Sequence, residues 1–207
     1  MLVGMFGTTL IVVLVILDWI QFTMLSDRTT RYGCRVARQV DLLPLRLAVA
    51  LNRFDEQGLL ALPNGGIARC VRTTHEIILR PQYRLLSQQF RTAWPLKATI
   101  ELQPADEATR LVFTKRMPWS SAIITLLWFL LVAIGTLAFF VAFLATGGLT
   151  SLAGILLALG VIGLGLLVLS FGLVIVAVAY RLEDARLRQA YDDLRDALNA
   201  TLSLNHV

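Results

Sequence analysis

Residues 117–180 read MPWSSAIITLLWFLLVAIGTLAFFVAFLATGGLTSLAGILLALGVIGLGLLVLSFGLVIVAVAY, a run without a single Asp, Glu, Lys or Arg. As one straight helix it would be about 96 Å long, roughly three times the hydrocarbon thickness of a bilayer. The run must therefore fold back on itself. Thr146-Gly147-Gly148 offers the turn, since glycine readily ends a helix. We predict a transmembrane helical hairpin that turns near residues 146–149.

A further apolar run occupies residues 1–25, where Asp18 and Gln21 are the main interruptions. It lacks the basic leader and small-residue cleavage site of a signal peptide, so we interpret it as a retained transmembrane anchor. The composition agrees, because 57% of the residues are hydrophobic and 16% are charged, against roughly 25% charged in soluble domains. We predict an integral membrane protein with three spans, for which the lipid bilayer is the first partner.

Basic residues flank these runs on one side only, which predicts the orientation. By the positive-inside tendency, the amino terminus lies outside and residues 26–116 and 181–207 lie in the cytoplasm of a cell (inner or plasma) membrane. We expect the flanking residues to lie at the membrane surface, with anionic lipid as a possible ligand. We favour the positive-inside bias alone over contact with anionic lipid as the explanation of these flanking residues. They are Arg28, Arg31, Arg35, Arg38, Lys115, Arg116, Trp119 and Arg181.

Residues 26–116 predict a small cytoplasmic α+β domain of antiparallel strands plus one helix, inserted into an α-helical membrane protein. Alternation favours a strand over residues 32–40, although arginines spaced three, four and three apart leave a helical alternative. Asp41 resembles a helix cap, with a helix extending to Phe54. Further strands are expected at residues 59–62, 67–71, 75–80, 98–102 and 109–115, the last two joined by a loop over residues 104–108.

Small residues form two stripes in the predicted hairpin, and we expect the stripes to pack against each other or against another chain. Close approach of two helices requires small side chains, and a seven-residue repeat keeps one stripe towards its neighbour. The second span carries Gly135, Ala138, Ala142 and Ala145, and the third carries Ser151, Gly154, Ala158, Gly165, Gly172 and Ala179.

Residues 181–207 predict an amphipathic helical tail that continues the third span. Its apolar side chains recur three or four residues apart, from Leu187 to Leu198. Such a stripe cannot stay in water. The tail either packs on the domain of its own chain or docks on a partner.

Asp18 is the intramembrane carboxylate, and ionisable groups inside a span are functional suspects. Its position near the cytoplasmic end favours an interfacial carboxylate that hydrogen-bonds locally, with a specific buried partner as the alternative.

Cys70 and His75 differ in parity along a strand, which argues against a nucleophile and base. No zinc spacing, phosphate loop or dinucleotide motif occurs in the sequence, so we expect no catalytic residue, metal or cofactor.

These observations predict a non-catalytic accessory, scaffolding or assembly subunit of a larger membrane complex, whose partners are other membrane-protein subunits or a second copy. The alternative is a membrane-tethered cytoplasmic module that binds or senses a lipid or small ligand. Nucleic acid is not an expected partner, since the aromatic residues are better explained as core or membrane-surface groups.

Overall fold

The computed structural model describes residues 2–81, 92–106 and 108–199. Two compact units divide the chain, Met1–Ser120 with Leu182–Val207 and Ser121–Arg181. In chain order the helices and strands are α1 (Leu2–Thr23), β1 (Cys34–Leu43), α2 (Leu47–Leu51), β2 (Leu59–Ala61), β3 (Ile67–Val71), β4 (Glu76–Arg80), β5 (Lys97–Ala105), β6 (Ala108–Met117), α3 (Trp119–Ala145) and α4 (Leu152–Asn199).

Among the described residues, three helices are long and apolar enough to cross a membrane, namely Met5–Thr23, Trp119–Ala145 and Leu152–Asn199. They coincide with the three predicted apolar runs. The turn also lies where glycine predicts it, because Gly147 adopts a left-handed φ of 75° two residues after the end of α3. Beyond Tyr180 the last helix continues without a break to Asn199, so this part of the predicted tail belongs to α4, and residues 200–207 lie outside the described residues.

The strands form one antiparallel sheet in the order β1-β6-β5-β4-β3-β2. The strand interpretation of the first segment is therefore correct, and so are both predicted hairpins. The second hairpin is tighter than predicted, because Pro104 and Ala105 still pair with Thr109 and Ala108. Proline is tolerated there since β4 pairs with β5 only as far as Glu101, which leaves Pro104 at an open edge.

The helix predicted from Asp41 to Phe54 is largely wrong. β1 continues to Leu43, and α2 covers only five residues. Instead of capping a helix, the Asp41 carboxylate accepts hydrogen bonds from the Leu42 amide at 2.8 Å and the Tyr191 hydroxyl at 2.9 Å. Pairing with β6 and contact with α4 override the local helix signals.

The sheet has an apolar face and a polar face. The apolar face carries buried residues of the four central strands, and the carboxyl-terminal part of α4 covers it through Leu187, Ala190, Leu194 and Leu198, all buried. Tyr191 packs against Phe113 with ring centroids 4.8 Å apart. Of the two alternatives for the tail, packing on its own chain is the one that the structure contains.

Candidate functional site at the end of the first helix

Four basic side chains from neighbouring strands form a row across the polar face of the sheet. Arg116 pairs with Arg35 on one side and with Lys97 on the other. Arg80 follows Leu79, the partner of Ala98, so the same register brings it beside Lys97. Residues paired across strands project from the same face. We call Arg35, Arg80, Lys97 and Arg116 the basic row.

Lys97 is the most deeply buried member of the row, with 1% of its surface exposed. Its Nζ donates to the carbonyl oxygens of Thr29 at 2.8 Å and Phe22 at 3.4 Å. The same ammonium lies 4.6 Å from the centre of the Phe22 ring, within range of a cation–π interaction. Burial, reinforced by the positive charges of Arg116 and Arg80, lowers the pKa of Lys97 to about 8.

The arginines of this face continue the same pattern around the end of α1. The last carbonyls of an α-helix lack intrahelical partners and carry partial negative charge, so cations stabilise them. Arg80 donates to the Thr23 carbonyl, Arg69 to the Leu25 carbonyl, and Arg116 to the Gly33 carbonyl at 3.2 Å. The sheet thus caps the carboxyl end of α1 with side chains from β3, β4 and β5.

Gly33 permits the close approach of this segment to the sheet. It adopts a φ of 109°, and a Cβ placed there would lie 2.7 Å from the Met117 carbonyl oxygen. A larger residue would strain the backbone and push the segment away from β6.

Charge at the Arg35 and Arg116 end of the row is only partly compensated by the described residues. Arg35 is exposed, and its guanidinium has neither a hydrogen bond nor an ion pair within the described part of the chain. Arg116 has a buried Nε without a partner there. Burial lowers the pKa of Arg116, the neighbouring charges of Arg35 and Arg31 lower it further, and the carboxylates of Glu76 and Glu101 offset part of this change. Glu76 and Glu101 are the two nearby carboxylates. Both form ion pairs with Arg31, at 2.5 Å and 3.5 Å respectively.

Asp18 binds specific partners within the chain. One carboxylate oxygen accepts a hydrogen bond from the Tyr32 hydroxyl at 2.5 Å, and the other accepts from the Ser120 amide at 2.9 Å and its hydroxyl at 2.6 Å. Ser120 lies in the first turn of α3, where amides point outward and a negative charge is stabilising. Burial and the Asp18 carboxylate raise the pKa of Tyr32 to about 12.

The expectation that Lys115 lies at the membrane surface is wrong. Its side chain is 1% exposed and forms an ion pair with Asp184 of α4 on the apolar face of the sheet. The reason is strand parity, since Lys115 and Arg116 are consecutive and must project from opposite faces. Arg188 binds the other Asp184 oxygen at 2.8 Å, so this carboxylate has two cations.

The other residues assigned to the membrane surface are mostly exposed. Trp119 is 48% exposed at the start of α3. Arg116 is half-buried within the basic row, and Arg31 is held by Glu76. The remaining arginines are exposed side chains, namely Arg28, Arg35, Arg38 and Arg181.

The two small-residue stripes do not meet. Ala158, Gly165, Gly172 and Ala179 are buried, and a Cβ on Gly165 or Gly172 would collide with Thr136 or Trp128 of α3. Ser151 is exposed and Gly154 lies against the turn at Gly148. The α3 stripe points away from α4, because larger residues of α3 form the contact. Its members, Gly135, Ala138, Ala142 and Ala145, are all exposed.

Cys70 and His75 lie in different surroundings. Cys70 is buried opposite Ile77, and burial raises the pKa of its thiol. His75 is exposed in the turn between β3 and β4. Among the described residues, no group of three or more His, Cys, Asp and Glu side chains could hold a metal ion.

β1 forms an open edge of the sheet. It is ten residues long, and in the part of the chain that the structure describes it pairs only with β6. Val36, Val40 and Leu42 are 38%, 51% and 58% exposed on this strand. Unpaired amides and carbonyls at such an edge can pair with another chain.

Sequence reasoning missed the basic row because pairing register cannot be read from one strand. The sequence did contain a signal for a basic face on the sheet. Arg69, Arg80 and Lys97 each stand next to apolar residues, inside a predicted strand or at its end. No family model, curated protein or solved structure matches the chain.

Proposed function

We propose that this protein is a non-catalytic, multi-pass membrane protein that serves as an accessory, scaffolding or assembly subunit of a larger membrane complex. In the proposed topology the amino terminus is outside and the sheet lies in the cytoplasm, as the arginines flanking the apolar helices favour. The open edge of β1 is the observation that carries the proposal.

This edge has the properties of a protein-binding strand. Natural sheets usually protect long edges with short strands, bulges, charges or a covering element. β1 has a register shift between Arg35 and Ala37, but it runs for ten residues and exposes three apolar side chains, two of them beyond that shift. An extended segment of another protein can add to such an edge by main-chain hydrogen bonds, while side chains supply specificity. The tail of α4 is not available for this role, because its apolar stripe covers the sheet of its own chain.

Copurification from native membranes with variants of the edge tests the proposal. We expect wild-type protein, solubilised in mild detergent, to elute with at least one other membrane protein. Val40→Asp places a charge on the edge and should abolish this association. Val49→Asp is the matched control, because Val49 is 43% exposed on α2 rather than on β1, and it should leave the association intact. A wild-type protein that elutes as a monodisperse monomer and copurifies with nothing would contradict the accessory role.

A further inference from the structure

The exposed end of the basic row has the composition of an anion site. Arg35 and Arg116 are cross-strand partners, so two guanidinium groups project side by side from one face. Like charges directly opposite each other in a sheet are destabilising. A shared anion removes that cost and accepts hydrogen bonds from both groups.

Within the described residues, no carboxylate binds either guanidinium group directly. The basic row contains no carboxylate, and the acidic pair on the same face, Glu76 and Glu101, is bound by Arg31. Arg116 donates to one neutral carbonyl and keeps an unpartnered buried Nε. A half-buried guanidinium group next to a second one is costly unless an anion pairs with it, so an external counter-ion would be stabilising.

The position of the row identifies the class of anion. Lys97 and Arg80 of the same row donate to carbonyls in the last turn of α1, at the end of the apolar segment Met5–Thr23. Arg116 precedes the first residue of the apolar segment Trp119–Ala145 by three positions. Both connections hold the row where spanning helices leave the hydrocarbon, and lipid phosphates are the anions concentrated at that depth.

We propose that Arg35 and Arg116 bind the phosphate group of an anionic lipid. Guanidinium groups suit this ligand, because their planar donors match phosphate oxygens in pairs. The site is independent of the accessory role, since it lies in the basic row and needs no second protein.

Calorimetric titration of the full chain in an uncharged detergent tests the site. The probes are short-chain phosphatidylglycerol, short-chain phosphatidylcholine and inorganic phosphate. We expect phosphatidylglycerol to bind at least about tenfold more tightly than either of the others. Arg35→Gln should weaken its binding about tenfold, and Arg35→Lys should weaken it less, because lysine retains the charge without the planar donors.

Arg110→Gln is the matched control. Arg110 lies on the same polar face at the opposite end of β6, is exposed, and pairs with Leu42 and Gln103 rather than with another basic residue. Its replacement should change lipid affinity by no more than about twofold. Equal weakening by Arg110→Gln and Arg35→Gln would overturn the site in favour of unspecific charge attraction. Equally tight binding of inorganic phosphate would overturn the assignment to lipid.

Discussion

The polar and apolar faces of the sheet hold two helices by different physical means. On the polar face, cationic side chains donate to backbone carbonyls at the end of α1. On the apolar face, the flank of α4 buries leucines and one ion pair. End-on capping depends on charge and backbone position, whereas flank packing depends on side-chain volume. The two attachments should therefore respond differently to substitution and to pH.

Removing Lys115 should have the largest effect on stability, because it takes one cation away from a carboxylate that is buried on the apolar face. We expect Lys115→Ala to lower the free energy of unfolding by about 4 kcal/mol, since Asp184 loses one of its cations inside the protein. Urea denaturation in detergent micelles measures this. The double variant Lys115→Ala with Asp184→Ala should recover part of the loss. Equal stability of the single variant and the wild type would mean that Arg188 alone compensates Asp184.

Shortening a leucine of α4 measures the packing on this face without charge. Leu187 has no exposed surface, and Leu187→Ala should cost about 3 kcal/mol by creating a cavity. Leu182→Ala is the matched control, since Leu182 is 48% exposed on the same helix and should change stability little. If both variants lose the same stability, α4 is not held by burial on the sheet.

Neutralising Asp18, which lies in α1, should have a smaller effect on the free energy of unfolding. Asp18→Asn weakens the hydrogen bonds to Tyr32 and to the first turn of α3, at a cost of about 1 kcal/mol. The pKa of Tyr32, raised to about 12 by burial and by this carboxylate, should fall. Ultraviolet titration of tyrosinate detects the change. An unaltered Tyr32 titration would show that the two residues do not interact in solution.

The pH dependence of Lys97 should be the subtlest difference between the faces. Its pKa of about 8 in the folded protein lies below the ordinary 10.5. The unfolded chain therefore binds more protons between these values, so the contribution of Lys97 to stability rises from about pH 8 to about pH 10.5. Unfolding at several pH values, compared with Lys97→Met, isolates this contribution from other groups. The same slope in both proteins would argue against a buried, charged Lys97.

Sequence alone could predict the features that depend on local pattern. Apolar length located all three long helices, and Gly147 located the turn between the last two. The Asn64-Gly65 turn located the hairpin of β2 and β3. The helix at Asp41 failed because its carboxylate is bound by Tyr191, 150 residues away, a contact that no local pattern contains.

The candidate site was less accessible from sequence. The arginines flanking the apolar runs were recognisable, but the division of Lys115 and Arg116 between two faces depends on β6 lying between β1 and β5. Lys97 was overlooked because a lone lysine in a strand usually points to solvent. Lys97 caps α1 only because the end of that helix lies over β5 in the folded protein.

The pair of Lys115 with Asp184 also has a consequence for biosynthesis. A one-residue slip of β6 would place Arg116 instead of Lys115 against α4. The ion pair with Asp184 therefore stabilises the correct register of this strand. Asp184 follows Lys115 by 69 residues, and the ribosome makes it only after α3 and most of α4. During synthesis the apolar face of the sheet, including Phe113, therefore stays uncovered until the carboxyl-terminal part of α4 has been made.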